Sequence, residues 1–213
     1  MVGPNKDLAI EKYRGLAGGY DQRAKGVEGI RRDAVAHLKL EPGDVVLDAG
    51  CGTGLSFPLI EEQIGSEGQI VGIDLSPEMI ARARNRVNDA GWGNVTLIQS
   101  AIEDAAIPVE AAAVFFHFTH DIMRSVAALD NVFQHVKPGG RTATAGAKLA
   151  PWWAFPVNIY MRRAVRQYVT TFEGYDKPWS LLAPYVPDLQ VKSALFGAAY
   201  MAWGTVRLPE HSV

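Results

Sequence analysis

The residues best suited to chemistry begin with an apolar run, Val45-Val46-Leu47, that ends on Asp48 and is followed by Gly50, Gly52 and Gly54. Glycines at alternate positions let a bulky ligand lie against bare backbone and allow turns that need positive φ. The spacing is Gly-x-Gly-x-Gly, whereas the dinucleotide fingerprint is Gly-x-Gly-x-x-Gly, and no Lys-Ser/Thr pair follows to grip phosphates. A carboxylate just ahead of the first glycine, Asp48, repels a pyrophosphate and suits a ligand that carries positive charge. A second acid, Asp74, follows roughly 20 residues on, where it is placed to accept hydrogen bonds from both hydroxyls of a ribose. A third cluster, His117, His120 and Asp121, offers a neutral-range base with an acid beside it. Its spacing does not match a zinc motif and no cysteine pair supports one, so no metal is expected.

These groups need elements to hold them. Val45 to Ala49 reads as a buried strand, with a helix from Leu55 to Ile64 behind the glycines. Gln69 to Leu75 is a second strand ending at Asp74, and Ser76-Pro77-Glu78 starts a helix to about Ala90, with Ser76 as N-cap. Arg82, Arg84 and Arg86 on that helix read as a solvated charged stretch. Asn94 to Gln99 is a third strand. Ala111 to Phe116 is apolar without alternation, as for a central strand covered on both faces. The histidine cluster therefore falls at the carboxyl end of a central strand, where open α/β sheets bind ligands. One helix from Ile122 to His135, a strand from Arg141 to Ala147, and a closing antiparallel pair (190–196 and 199–207) complete the pattern. Between them, an aromatic and proline-rich stretch around Trp152-Trp153 leads into a helix from Val157 to Val169 carrying Tyr160, Met161, Val165 and Tyr168. These aromatics suit an apolar or planar ligand, or equally a core.

Val46 to Gly54 resembles motif I of the class I S-adenosylmethionine-dependent methyltransferases. Val71 to Ile80 resembles that family's second strand with its ribose-binding acid, and Leu129 to Gly140, closing on Lys137-Pro138-Gly139-Gly140, resembles the helix and turn before its fifth strand. The resemblance implies a single Rossmann-like α/β domain over 1–213, with a seven-stranded, mostly parallel sheet and helices on both faces. It implies S-adenosylmethionine as cofactor, leaving as S-adenosylhomocysteine. The methionine end would rest on Asp48, Gly50, Cys51, Gly52 and Gly54, with Tyr20 and His117 near it. Asp74 would hold the ribose, Leu75 and Met79 would also contact the cofactor, and Ser100, Ala101 and Ile102 would lie at the adenine, although Ser100 stands where the family often has an Asp. Residues 1–40 would form a helical lid carrying Tyr13 and Tyr20, and 150–188 an acceptor-binding insertion. Tyr13, Lys148, Trp152, Trp153 and Tyr160 are the substrate-side candidates. His120 is the candidate base, with Asp121 to orient it.

The bulk composition narrows the function. The chain has 213 residues, 48% hydrophobic and 21% charged, with a formal net charge of -2, so no basic field draws it to nucleic acid. No Asn/Asp-Pro-Pro-Tyr/Phe stretch occurs either. A lone cysteine, Cys51, fits a reducing, cytoplasmic setting. The expected activity is methyl transfer to an oxygen or nitrogen, then carbon, of a small apolar or aromatic molecule, by a monomer or homodimer. A lipid or quinone methyltransferase resting on a membrane surface, and a cofactor-binding protein without turnover, are the alternatives. A nicotinamide oxidoreductase is disfavoured by the glycine spacing and by Asp48.

Overall fold

The computed structural model describes residues 5–207. Seven strands form one sheet in the order β3-β2-β1-β4-β5-β7-β6. They are β1 (Val45–Ala49), β2 (Gln69–Asp74), β3 (Val95–Gln99), β4 (Ala111–His117), β5 (Val136–Ala147), β6 (Gln190–Ala194) and β7 (Ala199–Thr205). Only β7 runs antiparallel to its neighbours β5 and β6. The strand order reverses between β1 and β4, which pair directly through Val46–Ala113, Leu47–Val114 and Asp48–Phe115. That reversal opens a crevice at the carboxyl ends of both strands.

The helices sit where the apolar patterns require. Helices α3 (Glu28–Ala36), α4 (Phe57–Ile64) and α5 (Pro77–Ala90) cover one face. Phe57, Ile60, Ile64, Phe115 and Leu38 are completely buried there. Helix α5 starts as expected, with Ser76 Oγ accepting from the Met79 N–H, and ends on Gly91 in the left-handed conformation. The other face packs Phe116, Leu129, Val132 and Phe133 beneath the segment 178–186.

Four expectations change. The single helix foreseen over 122–135 is two, α6 (His120–Met123) and α7 (Val126–Phe133). Ser125 stops one and caps the other by accepting from the Ala128 N–H at 3.2 Å. His120 therefore stands in the first turn of a helix, while the strand ends at His117. The Lys137–Gly140 turn is absorbed into a longer β5, at the cost of a register shift against β4 between Ala111 and Ala113. The N-terminal segment divides into α1 (Lys6–Leu16) and α2 (Tyr20–Ala24), and the 152–165 region into a 3-10 turn and α8 (Phe155–Val165).

Candidate functional site

The glycine loop is built on its lack of side chains. Gly50, Gly52 and Gly54 have φ of 84°, 56° and 74°. A Cβ on Gly50 would stand 2.4 Å from Thr119 Cγ2, so the loop can approach the β4–α6 turn only as glycine. Asp74 closes the loop from the next strand: its Oδ2 accepts from the Gly52 N–H and its Oδ1 from the Ser76 N–H, both at 2.9 Å. Each oxygen keeps a further lone pair for a ligand. Burial pushes the Asp74 carboxyl up, and these two N–H groups pull it back.

Asp48 lies beneath the loop, 1% exposed, with neither oxygen hydrogen-bonded. Burial pushes its pKa up to about 7, with the Arg31 guanidinium the strongest opposing influence. Cys51 and Gly54 also sit below the loop rather than on a cavity wall. Burial holds the Cys51 thiol well above its usual range, so it stays protonated and packs in the core.

Two cavities open at the crevice. One of about 330 Å³ is lined by Gly50, Gly52, Asp74, Leu75, Met79, Ser100, Ala101 and Ile102, and α1 lies across it through Ala9, Ile10 and Tyr13. The other, of about 370 Å³, is bounded by Met161, Ala164, Val165 and Val169, by Tyr175 and Tyr200, and by Arg31. Tyr13, Tyr20, His117, Phe118, Thr119, His120 and Tyr168 line both. The junction is made by Phe118, whose left-handed φ of 57° is costly for a bulky side chain. Its N–H donates to Ala145 O at 2.7 Å, and the bend turns His117 and Thr119 into the crevice.

The two histidines are neutral. Burial lowers the pKa of His117 well below normal, and its Nε2 has no partner. His120 is lowered to about 4 by burial first and by the Arg124 charge second. Its ring tilts against Tyr175 with centroids 4.5 Å apart and both nitrogens unpartnered. Asp121 does not orient it. That carboxylate accepts instead from the Thr170 N–H at 3.0 Å and the Thr170 hydroxyl at 2.8 Å, fixing the end of the 155–170 segment. A His whose folded pKa falls below its unfolded value binds fewer protons when folded, so its stabilising contribution is lost as pH drops from 6.5 towards 4. For His120 that loss is about 3 kcal/mol. His120→Gln should therefore flatten the stability decline over this window, measured by urea unfolding at several pH values.

Other expected residues lie elsewhere. Lys148 is 8% exposed, its Nζ donates only to Leu149 O at 3.4 Å, and it lines neither cavity. Trp152 and Trp153 point outward, 87% and 67% exposed, because the 3-10 turn that carries them buries only Ala154. The side chain of Tyr160 lies outside the described residues. Arg86 is no solvated charge: its Nη2 donates to Asp21 at 2.7 Å and its Nε to Thr53 O at 2.9 Å. Thr53 Oγ1 also donates to Asp21 at 2.6 Å, so α2 is clasped to the glycine loop and α5. Arg31 was missed, yet its signal was present: Arg31, Ala34, Val35 and Leu38 fall at helical spacing on one stripe. It is 2% exposed, is paired with Glu28, and keeps an unpartnered Nε.

Residues 46–140, a little under half of the chain, match the family model described as a methyltransferase domain. With the sheet order and the site above, this defines the class: residues 46–140 carry a methyltransferase domain, on a fold like that of the class I S-adenosylmethionine-dependent methyltransferases. Within that class it is 30% identical over 132 residues to the arsenite methyltransferase of Halobacterium salinarum, covering 59% of this chain and 32% of that protein. It is 26% identical over 157 residues to the demethylmenaquinone methyltransferase of Listeria monocytogenes, covering 71% and 66%. The chain thus spans less than two thirds of either relative. A methyltransferase structure from Aquifex aeolicus shares the fold with a TM-score of 0.58 and 20% identity, covering 83% of this chain and 89% of that one. S-adenosylmethionine is the cofactor of the class, and this site fits it: bare backbone at Gly50 and Gly52, a half-buried acid at Asp74, and an orphaned ring nitrogen on His117 at the junction.

Proposed function

We propose that this protein transfers a methyl group from S-adenosylmethionine to a small apolar or aromatic molecule, at oxygen or nitrogen before carbon. The carrying observation is the second cavity, apolar and tyrosine-rich, meeting the glycine-loop cavity across His117 and His120. The bound cofactor supplies a methyl carbon activated by its sulfonium. The chain's part is to align an acceptor lone pair and exclude water, which supplies much of such a rate enhancement. Asp74 would hold the ribose, Ala101 and Ile102 the adenine, and the glycine loop over Asp48 the methionine end. Arg31 puts one buried positive charge on the wall of this largely apolar chamber, with the exposed Arg23 at its margin, which suits an acceptor bearing an electronegative oxygen. His120, with a conjugate acid near 4, is a weak proton acceptor and serves better to receive a hydrogen bond from the acceptor than to ionise it.

Of the acceptors named for the two relatives, demethylmenaquinone suits this chamber better than arsenite. A soft metalloid favours thiolates, and the lone cysteine is buried under the loop.

Calorimetric titration with S-adenosylmethionine and S-adenosylhomocysteine, with NAD as control, tests the reading. Micromolar binding of either and none of NAD supports it, and release of S-adenosylhomocysteine with an acceptor separates an enzyme from a binder without turnover. Failure of both cofactor forms to bind overturns it.

Helix α1 acts in this reading as the lid. Lys12 Nζ donates to Arg166 O at 2.9 Å and Val169 O at 2.6 Å, while Lys6 pairs with Glu103 and Asp104 on the opposite side of the cavity. Lys12→Ala should speed cofactor release about five- to tenfold, the worth of a charged hydrogen bond partly open to water. Stopped-flow dissociation reads this directly, and an unchanged rate removes the lid.

A further inference from the structure

Among the described residues, the five most exposed large apolar side chains lie on two adjoining segments. Trp152, Trp153, Phe155 and Ile159 are 87%, 67%, 65% and 65% exposed, and Phe196 is 97% exposed. They form one neighbourhood, because the turn carrying Phe196 abuts the start of the 3-10 turn: a Cβ on Gly197 would stand 2.9 Å from Pro151 Cδ. The patch is held out at a cost. Leu195 and Phe196 both adopt left-handed φ, 47° and 53°, a conformation that neither side chain favours. The base is braced, since Asn158 Oδ1 accepts from the Ala150 N–H at 2.7 Å and its Nδ2 donates to Ala150 O at 3.0 Å. Strain that presents two apolar side chains to water needs something to cover them.

Two features say what covers them. The exposed cations Arg162, Arg163 and Arg166 stand on the helix that carries Phe155 and Ile159, or just past its end. An aromatic and aliphatic cluster edged by arginines matches the boundary between acyl chains and anionic headgroups. The patch also borders the second cavity: Leu195 is 51% exposed and lines that cavity, as do Met161 and Val165 of α8.

We propose that this face docks on an anionic lipid bilayer, so that the acceptor reaches the second cavity from the membrane rather than from water. The proposal rests on the methyltransferase reading for what the cavity holds, but the docking is tested separately. The full chain is mixed with vesicles of phosphatidylcholine containing phosphatidylglycerol, or of phosphatidylcholine alone, and sedimented. Most of the protein should pellet with the anionic vesicles. Several-fold less should pellet with neutral ones or in high salt, where surface charges are screened. Phe155→Ser/Ile159→Ser/Phe196→Ser should abolish pelleting while its cofactor affinity by calorimetry stays that of the parent. Arg162→Gln/Arg163→Gln should lose mainly the preference for anionic vesicles. No pelleting with either vesicle overturns the docking, as does a solution dimer that the triple-serine variant dissociates. Cofactor binding without vesicle binding defeats this proposal alone, and vesicle binding without cofactor binding defeats the methyltransferase reading alone.

Discussion

Replacing Asp48 by asparagine should make the protein relatively more stable as pH rises, by about 4 kcal/mol between pH 4 and pH 8 against the parent. The carboxyl is fully buried, unpartnered, and raised from 3.8 to about 7. A folded pKa above the unfolded one means the folded state binds more protons across that window. The stability Asp48 gives is thus present below its unfolded pKa and lost as pH climbs through about 7. Asparagine cannot ionise and removes that decline. It leaves a polar amide in much the place of the protonated acid, so the comparison isolates the charge. His120 acts in the opposite direction on the acid side. The difference between variant and parent, measured by urea unfolding at several pH values, cancels that background. An identical pH dependence for both would show that Asp48 is not held neutral by burial.

The second large effect concerns the cofactor. Asp74→Ala should weaken S-adenosylmethionine binding about 100-fold or more, since two charge-assisted hydrogen bonds of about 1.5–3 kcal/mol each are lost. The alanine also frees the Gly52 and Ser76 N–H groups that the carboxylate now fixes. Asp74→Asn separates these roles, because one amide oxygen remains to accept while the charge is gone. Calorimetry on both, with circular dichroism as a check on folding, decides the matter. Parent-like affinity in Asp74→Ala would end the ribose assignment.

What was legible in the sequence was what one short segment specifies by itself. The strand–glycine–helix unit, Asp74 at the end of β2, and Ser76 with Pro77 at the head of α5 were all readable, because caps and turns follow from local residue types. The break between α6 and α7 was missed because helical periodicity runs through Arg124 and Ser125, and the cap at Ser125 competes with it only once the helix stops. The long-range partners were invisible for another reason. Arg86 looks like any exposed arginine of a helix until α2 brings Asp21 to it from 65 residues away. Asp121 looked like a partner for its neighbour His120, yet a hydroxyl 49 residues on takes it. Aromatic content drew attention to Trp152 and Trp153, but composition does not say which way a side chain faces. Met161 and Val165, on the same stretch, turn inward.

Tyr13 of α1 is wall to both cavities, and its hydroxyl donates to Tyr168 O at 3.3 Å across the junction between them. In kinetic terms this imposes a sequence of events. With α1 as the proposed lid, the second cavity is walled by Tyr13 only when α1 is seated, and a seated α1 would bar passage to the cavity at the glycine loop. On the reading proposed above, cofactor would enter first and its demethylated form leave last, an ordered sequential scheme. In that scheme S-adenosylhomocysteine competes with S-adenosylmethionine but not with the acceptor, and excess acceptor traps the spent cofactor and slows turnover.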